Sequence, residues 1–136
     1  MPIMLWDQSL DIGVEPMNHE HRDILNAMNQ IYDLGQKGVQ GASVTRLVDR
    51  LGEICVHHFA DEERFMESIG YPALAVHKDL HRRLLEKYHE HAAAIRAADG
   101  VAGDDFFQFL RFWLASHIKG VDVKYAAHAR GARPAA

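Results

Sequence analysis

His58 and Glu62 stand four residues apart in Ile54–Met66, a stretch that contains no helix breaker. In an α-helix that spacing stacks two side chains on one face, a turn apart. Cys55, Phe59, Phe65, Met66 and Ile69 fall on or near the same face. An imidazole nitrogen and a carboxylate oxygen therefore point toward an apolar interior. Burying such groups is costly unless a partner satisfies them, and a metal ion does this well. A single His–Glu pair is more often a surface contact, so the case turns on the other donors.

Ten histidines among 136 residues are several times the ordinary share. Each residue advances about 100° around a helix, which sorts them. His77 and His81 share one helical stripe at i, i+4, and His21, His58 and His117 each lie on the apolar stripe of a separate helix. His19, His57, His89 and His91 point elsewhere, and His128 falls in the tail. One inward histidine reads most simply as a core residue bonded to a backbone carbonyl. Five of them, spread over four helices, cannot all satisfy one another in a dry core, because a neutral imidazole has one donor and one acceptor. Asp122 is a further acid candidate. It lies five residues after His117, about 140° away on a regular helix, unless a kink or break at Gly120 swings it back.

Four amphipathic helices must position these groups. Residues 1–17, punctuated by Pro2, Gly13 and Pro16, form a non-helical arm whose Leu5, Trp6, Leu10, Ile12 and Val14 can lie on a core. Asn18 is the expected cap of a first helix that runs to Tyr32 or Leu34. Ser43 caps a second, ending at Ile69 before Gly70-Tyr71-Pro72 and roughly 40 Å long. The third carries Leu74, His77, His81, Leu84, Leu85, Tyr88, Ala92 and Ile95 and stops before Asp99-Gly100. The fourth runs from about Asp104 through Phe106, Phe109, Leu110, Trp113, Leu114 and His117 to Gly120. No stretch alternates like a strand. The expectation is one all-α domain, an up-down-up-down four-helix bundle over about 18–127, with a disordered tail over 128–136.

Five imidazoles and two carboxylates exceed what one tetrahedral zinc takes, and suit two first-row ions that share the acids. The ferritin-type pattern needs two Glu-x-x-His motifs in the bundle. Only Glu86-Lys-Tyr-His89 has that form here, and it lies off the stripe.

Taken together, Trp6, Gly13, His21-x(4)-Asn26, His58-Phe-x-x-Glu62-Glu63, Met66, Gly70-Tyr71-Pro72, His77-x(3)-His81 and Trp113-Leu-x-x-His117-Ile-x(3)-Asp122-x-x-Tyr125 resemble the hemerythrins, specifically the single-domain bacterial ones. The resemblance runs from Trp6 to Tyr125. It implies two iron ions bridged by Glu62, Asp122 and a solvent-derived oxo or hydroxo oxygen. His77, His81 and His117 would ligate one iron, and His21 and His58 the other, which keeps one open position for O2. Leu25, Phe59, Trp113 and Leu114 would wall that position or its access path, although ordinary core packing accounts for each equally well. Where the family usually has an acid three residues before the first ligand, this chain has Asn18, which implies an altered contact around an intact iron site.

The implied role is reversible O2 binding as a carrier, store or supplier rather than catalysis. The rival readings are a sensor of O2, nitric oxide or redox state, and a di-iron enzyme acting on peroxide or nitric oxide. Composition narrows the partners. A net charge of −4 with no basic run argues against nucleic acid. No apolar stretch spans a bilayer, and the N-terminus lacks a leader pattern, so the expected location is cytoplasmic. Cys55 is the only cysteine, expected as a small buried hydrophobe, which excludes a disulfide framework and a thiolate zinc cluster. No protein partner is legible.

Overall fold

The computed structural model describes residues 3–131, and among them there is no strand. Four long helical rods pack as a bundle: α1 (Glu15–Gln36), α2 (Ala42–Ser68), α3 (Leu74–Ala97), and α4 (Asp104–His117) continued by α5 (Val123–Gly131). Short loops connect consecutive rods, so neighbours run antiparallel. Each rod buries a stripe: Ile24, Met28 and Ile31 of α1 meet Val44, Val48 and Leu51 of α2, with Tyr88 and Ile95 of α3 and Phe106, Phe107 and Leu110 of α4 closing the same core.

The first helix starts earlier than the sequence predicts. Pro16, read as punctuation of the arm, occupies the first turn, where its fixed φ suits a helix and its missing N–H costs nothing. Asn18 is therefore not the cap. It sits a turn inside the helix, buried, where its Oδ1 accepts from the Ile12 amide (3.1 Å) and its Nδ2 donates to Asp11 Oδ1 (2.7 Å). Its role is to hold the arm down. Asn29 does the same further along: it accepts from the amides of Ile3 (2.9 Å) and Met4 (3.2 Å) and donates to the Met4 carbonyl (2.9 Å). Ser43 likewise lies within the first turn of α2, which begins after Gly41 without a side-chain cap.

The sequence places the end of the fourth helix near Gly120. Instead, residues Ile118–Asp122 form a π-helical turn, and α5 carries the rod on to Gly131. His128, expected in a disordered tail, is a half-buried member of α5 beside the Ile69 carbonyl (3.2 Å). The remainder of that expected tail, residues 132–136, lies outside the described residues.

At the end of the bundle away from the histidines, the α3–α4 loop meets the α1–α2 loop. The Gly41 amide donates to the Asp99 carbonyl (2.7 Å), and Gly100 takes a positive φ of 84°. A Cβ on Gly100 would lie 2.4 Å from both the nitrogen and the oxygen of Gly41, backbone atoms that cannot swing aside. Gly38 has a similar φ of 74° but open space around it. Gly38→Ala is expected to cost ~1 kcal/mol from the left-handed conformation alone. Gly100→Ala adds a backbone clash and is expected to cost at least ~2 to 3 kcal/mol, measured as paired urea unfolding midpoints. Equal costs for the two would contradict the close approach of the loops.

Candidate metal centre

The polar residues that the bundle buries gather at its other end. Glu62, on α2, has none of its surface exposed, and neither has Asp122 at the close of the π-turn. Around them stand His21 of α1, His58 of α2, His77 and His81 of α3, and His117 of α4, all buried. The other five histidines are exposed or half-buried.

Each carboxylate faces two ways. Glu62 Oε1 lies 2.8 Å from His81 Nε2 and 3.2 Å from His77 Nε2, while Oε2 lies 3.4 Å from His58 Nε2 and 3.6 Å from His21 Nε2. Asp122 Oδ1 lies 3.0 Å from His117 Nε2 and 3.2 Å from His77 Nε2, and its Oδ2 lies 3.1 Å from His21 Nε2. Two sets of donors result. Glu62, His77, His81 and His117 form one, and His21, His58, Glu62 and Asp122 the other, with the ligand atoms of each set within 4.8 Å of one another. Glu62 belongs to both.

The spacing of His117 and Asp122 needs the π-turn. A regular helix would carry a residue five positions on by about 140°, away from the centre. A π-turn closes with i→i+5 bonds and so returns position i+5 to the same side. The break that the sequence left open at Gly120 is thus one wide turn, and Asp122 faces inward.

The arrangement fits cations better than hydrogen bonds. Both nitrogens of His21 and both oxygens of Asp122 are buried without a hydrogen-bond partner, although His21 Nε2 and Asp122 Oδ2 are close. Two further nitrogens, His77 Nε2 and His117 Nε2, lie 3.2 Å apart. Lone pairs that converge on a common point look like this. Adjacent donors on an octahedral ion with bonds of ~2.1 Å are separated by √2 times that length, about 3.0 Å.

Charge tells the same story. Burial alone would make both acids bind protons, and the charge of Glu62 pushes Asp122 the same way. The surrounding imidazoles outweigh this and hold both carboxyls below their ordinary pKa range. The histidines respond in kind. Burial would lower the pKa of His58, yet its bonds to Glu20 and Glu62 bring it up to about 10. Burial would likewise lower that of His117, but the Asp122 charge brings it up to about 9. Protons and metal cations compete for these lone pairs.

Three residues that the sequence reading gave no role complete the centre. Glu20 Oε1 accepts from His58 Nδ1 (2.7 Å), and Glu63 Oε2 accepts from His81 Nδ1 (2.8 Å). Both carboxylates leave the Nε2 atoms facing inward. Tyr125 donates its hydroxyl to Glu62 Oε2 (2.8 Å), and burial together with the nearby carboxylates raises its pKa, so it stays a donor. A signal existed for two of them. Glu63 adjoins Glu62, and Tyr125 lies three residues past Asp122 on the same face.

Of the expected pocket residues, Phe59 stacks flat on His81 (centroids 3.9 Å apart) and meets Trp113 edge-on (6.0 Å). Both line a small apolar void with Cys55, Leu84, Leu85, Tyr88 and Phe109, while Leu25 and Leu114 are buried in the core without lining it. Burial pushes the Cys55 thiol pKa up, in keeping with an inert hydrophobe.

A helical bundle that surrounds two adjoining sets of histidine and carboxylate donors defines a protein built around a buried cation centre. The family profile described as "Hemerythrin HHE cation binding domain" matches residues 12–129. Bacteriohemerythrin of Stenotrophomonas maltophilia (strain R551-3) is 32% identical over 126 residues, covering 93% of this chain and 81% of the relative. Myohemerythrin of Riftia pachyptila is 29% identical over 121 residues, or 89% of each chain. A crystal structure of a hemerythrin point variant superposes with a TM-score of 0.85 at 26% identity, covering 94% of this chain and 98% of that one. The chain belongs to the hemerythrin family. Among the described residues, no helix is long and apolar enough to cross a membrane.

Partners that hold the outer nitrogen of a ligating histidine commonly contribute 10- to 100-fold in metal affinity. Glu20→Gln and Glu63→Gln are each expected to weaken cobalt(II) binding by about that factor in a chelator-competition titration. Unchanged affinity in both variants would remove these carboxylates from the centre.

Proposed function

We propose that this chain binds O2 reversibly at a non-haem di-iron centre, as a carrier, store or supplier of oxygen. The observation that supports this most directly is that both carboxylates divide their oxygens between the two histidine sets. His77, His81 and His117 would hold one iron, His21 and His58 the second, and Glu62 and Asp122 would serve both. The chemistry that iron supplies when bound is a pair of adjoining ions, each able to change charge by one electron.

The protein's own residues set the terms for that chemistry. The His21/His58 set has one imidazole fewer than the other, so an external diatomic has its place on that side. A shell rich in imidazole donates less electron density than one rich in carboxylate, which favours binding over cleavage of the ligand. Phe59, flat against His81, and the buried Trp113 and Leu114 keep bulk water from the donors. The neighbouring ionisable groups Glu20, Glu63 and Tyr125 are each engaged with a donor. A cytoplasmic setting suits the lone unpaired Cys55.

Anaerobic reduction of the iron-loaded protein followed by air is expected to produce visible ligand-to-iron bands that fade under vacuum. Irreversible oxidation without such bands would favour the enzyme or sensor readings. Iron analysis checks the donor assignment: Glu62→Ala and His117→Ala are expected to lose iron, and the exposed His89→Ala to retain close to two per chain. Equal iron in all three would overturn it.

A further inference from the structure

Two surface grooves reach donor histidines, and their walls differ in kind. The first, about 460 Å³ between α1 and α2, has His58 and Glu20 at its floor. His19 and Asp23 line it on α1 as an i, i+4 pair (3.6 Å), and His57 lines it on α2. Glu20 is a quarter exposed, and its carboxylate holds the outer nitrogen of His58 at 2.7 Å. The second groove, about 410 Å³ between α3 and α4, reaches His117 between Leu80, Leu84, Phe109 and Trp113. Arg83 and Lys87 stand at its rim.

A divalent cation cannot travel naked. It gives up hydration only as protein oxygens and nitrogens take the place of water. The α3/α4 groove offers mostly apolar walls with one hydroxyl, Ser116, and its two cations are paired with Asp79 and Glu90, so it replaces little of such an ion's hydration. The α1/α2 groove offers a ladder of replacements: imidazole and carboxylate at the mouth, then the quarter-exposed Glu20 carboxylate beside the His58 ring. The one cation on its wall is Arg50.

We propose that the α1/α2 groove is the loading entrance of the metal centre, with His19, Asp23 and His57 capturing the hydrated cation and Glu20 drawing it past the His58 ring, whose Nε2 faces the centre. This inference rests on the reading that the centre holds metal ions. It assigns the exposed groove residues a part in the rate of loading and none in the final complex, because none of the three touches the inner donor sets. Charged clefts raise the local concentration of an oppositely charged ligand, and its on-rate, by about 10- to 1,000-fold, an effect that salt removes.

The test is anaerobic stopped-flow uptake of cobalt(II), a coloured divalent probe, by the full-length apoprotein at low ionic strength. His19→Ala/Asp23→Asn/His57→Ala is expected to slow uptake by about fivefold or more. Final cobalt stoichiometry and spectrum should be unchanged, and the difference should shrink in high salt. Arg50→Gln is expected to speed uptake. His89→Ala/Glu90→Gln, matched in kind but placed on the far part of α3, is expected to stay within about twofold. Unchanged rates in the triple and Arg50 variants would overturn the proposal, as would equal slowing in the α3 control. A triple variant that loads slowly and also takes up less cobalt would overturn it too, since the groove residues would then be part of the centre. If the unmodified protein takes up fewer than two cobalt ions, the reading of the centre itself fails, a different result from an unchanged rate.

Discussion

The whole molecule depends on keeping two ionised carboxylates in its interior. Glu62 and Asp122 are fully buried and within reach of the same imidazoles, and each alone would be costly to place there. Their negative charge must be matched inside the bundle by groups that cannot drift away. Five imidazoles anchored on four rods do this locally, and a divalent cation between them does it more completely. The outer ring of Glu20, Glu63 and Tyr125 then fixes how the inner groups are turned.

The bundle separates this demanding chemistry from the work of folding. Donors cluster where α1 begins, α2 ends, α3 begins and α4 ends, close to the arm and the π-turn. Toward the opposite end, the rods meet through Ile31, Val44, Val48, Leu51, Ile95, Phe106 and Leu110, all apolar and buried. That half also contains the tight loop contact at Gly41 and Gly100. Tyr88 bridges the halves: its hydroxyl donates to the Val48 carbonyl, its ring packs beside Gly52, and it borders the void next to Phe59. An ordinary hydrophobic core can thus hold the rods in register while their other ends carry groups that would repel one another.

The bundle was legible in the sequence because every rod repeats its apolar stripe with helical period. The five inward histidines were legible for the same reason, since each shares a stripe with core residues. Asn18 misled the reading because a good capping residue can serve equally well inside a helix when the arm offers partners, here Ile12 and Asp11. Asp122 could not be placed by a fixed 100° step, because the turn that carries it departs from that step. Glu20 escaped notice since it lies off the core stripe and matters only through a histidine on another helix, a pairing across 38 residues that no local period encodes.

Because Glu62 and Asp122 each turn one oxygen to either histidine set, the two halves of the centre share mechanical parts. Whatever fixes the orientation of these side chains for one half also fixes it for the other. A substitution that turns either side chain therefore disturbs both donor sets at once and not the nearer one alone.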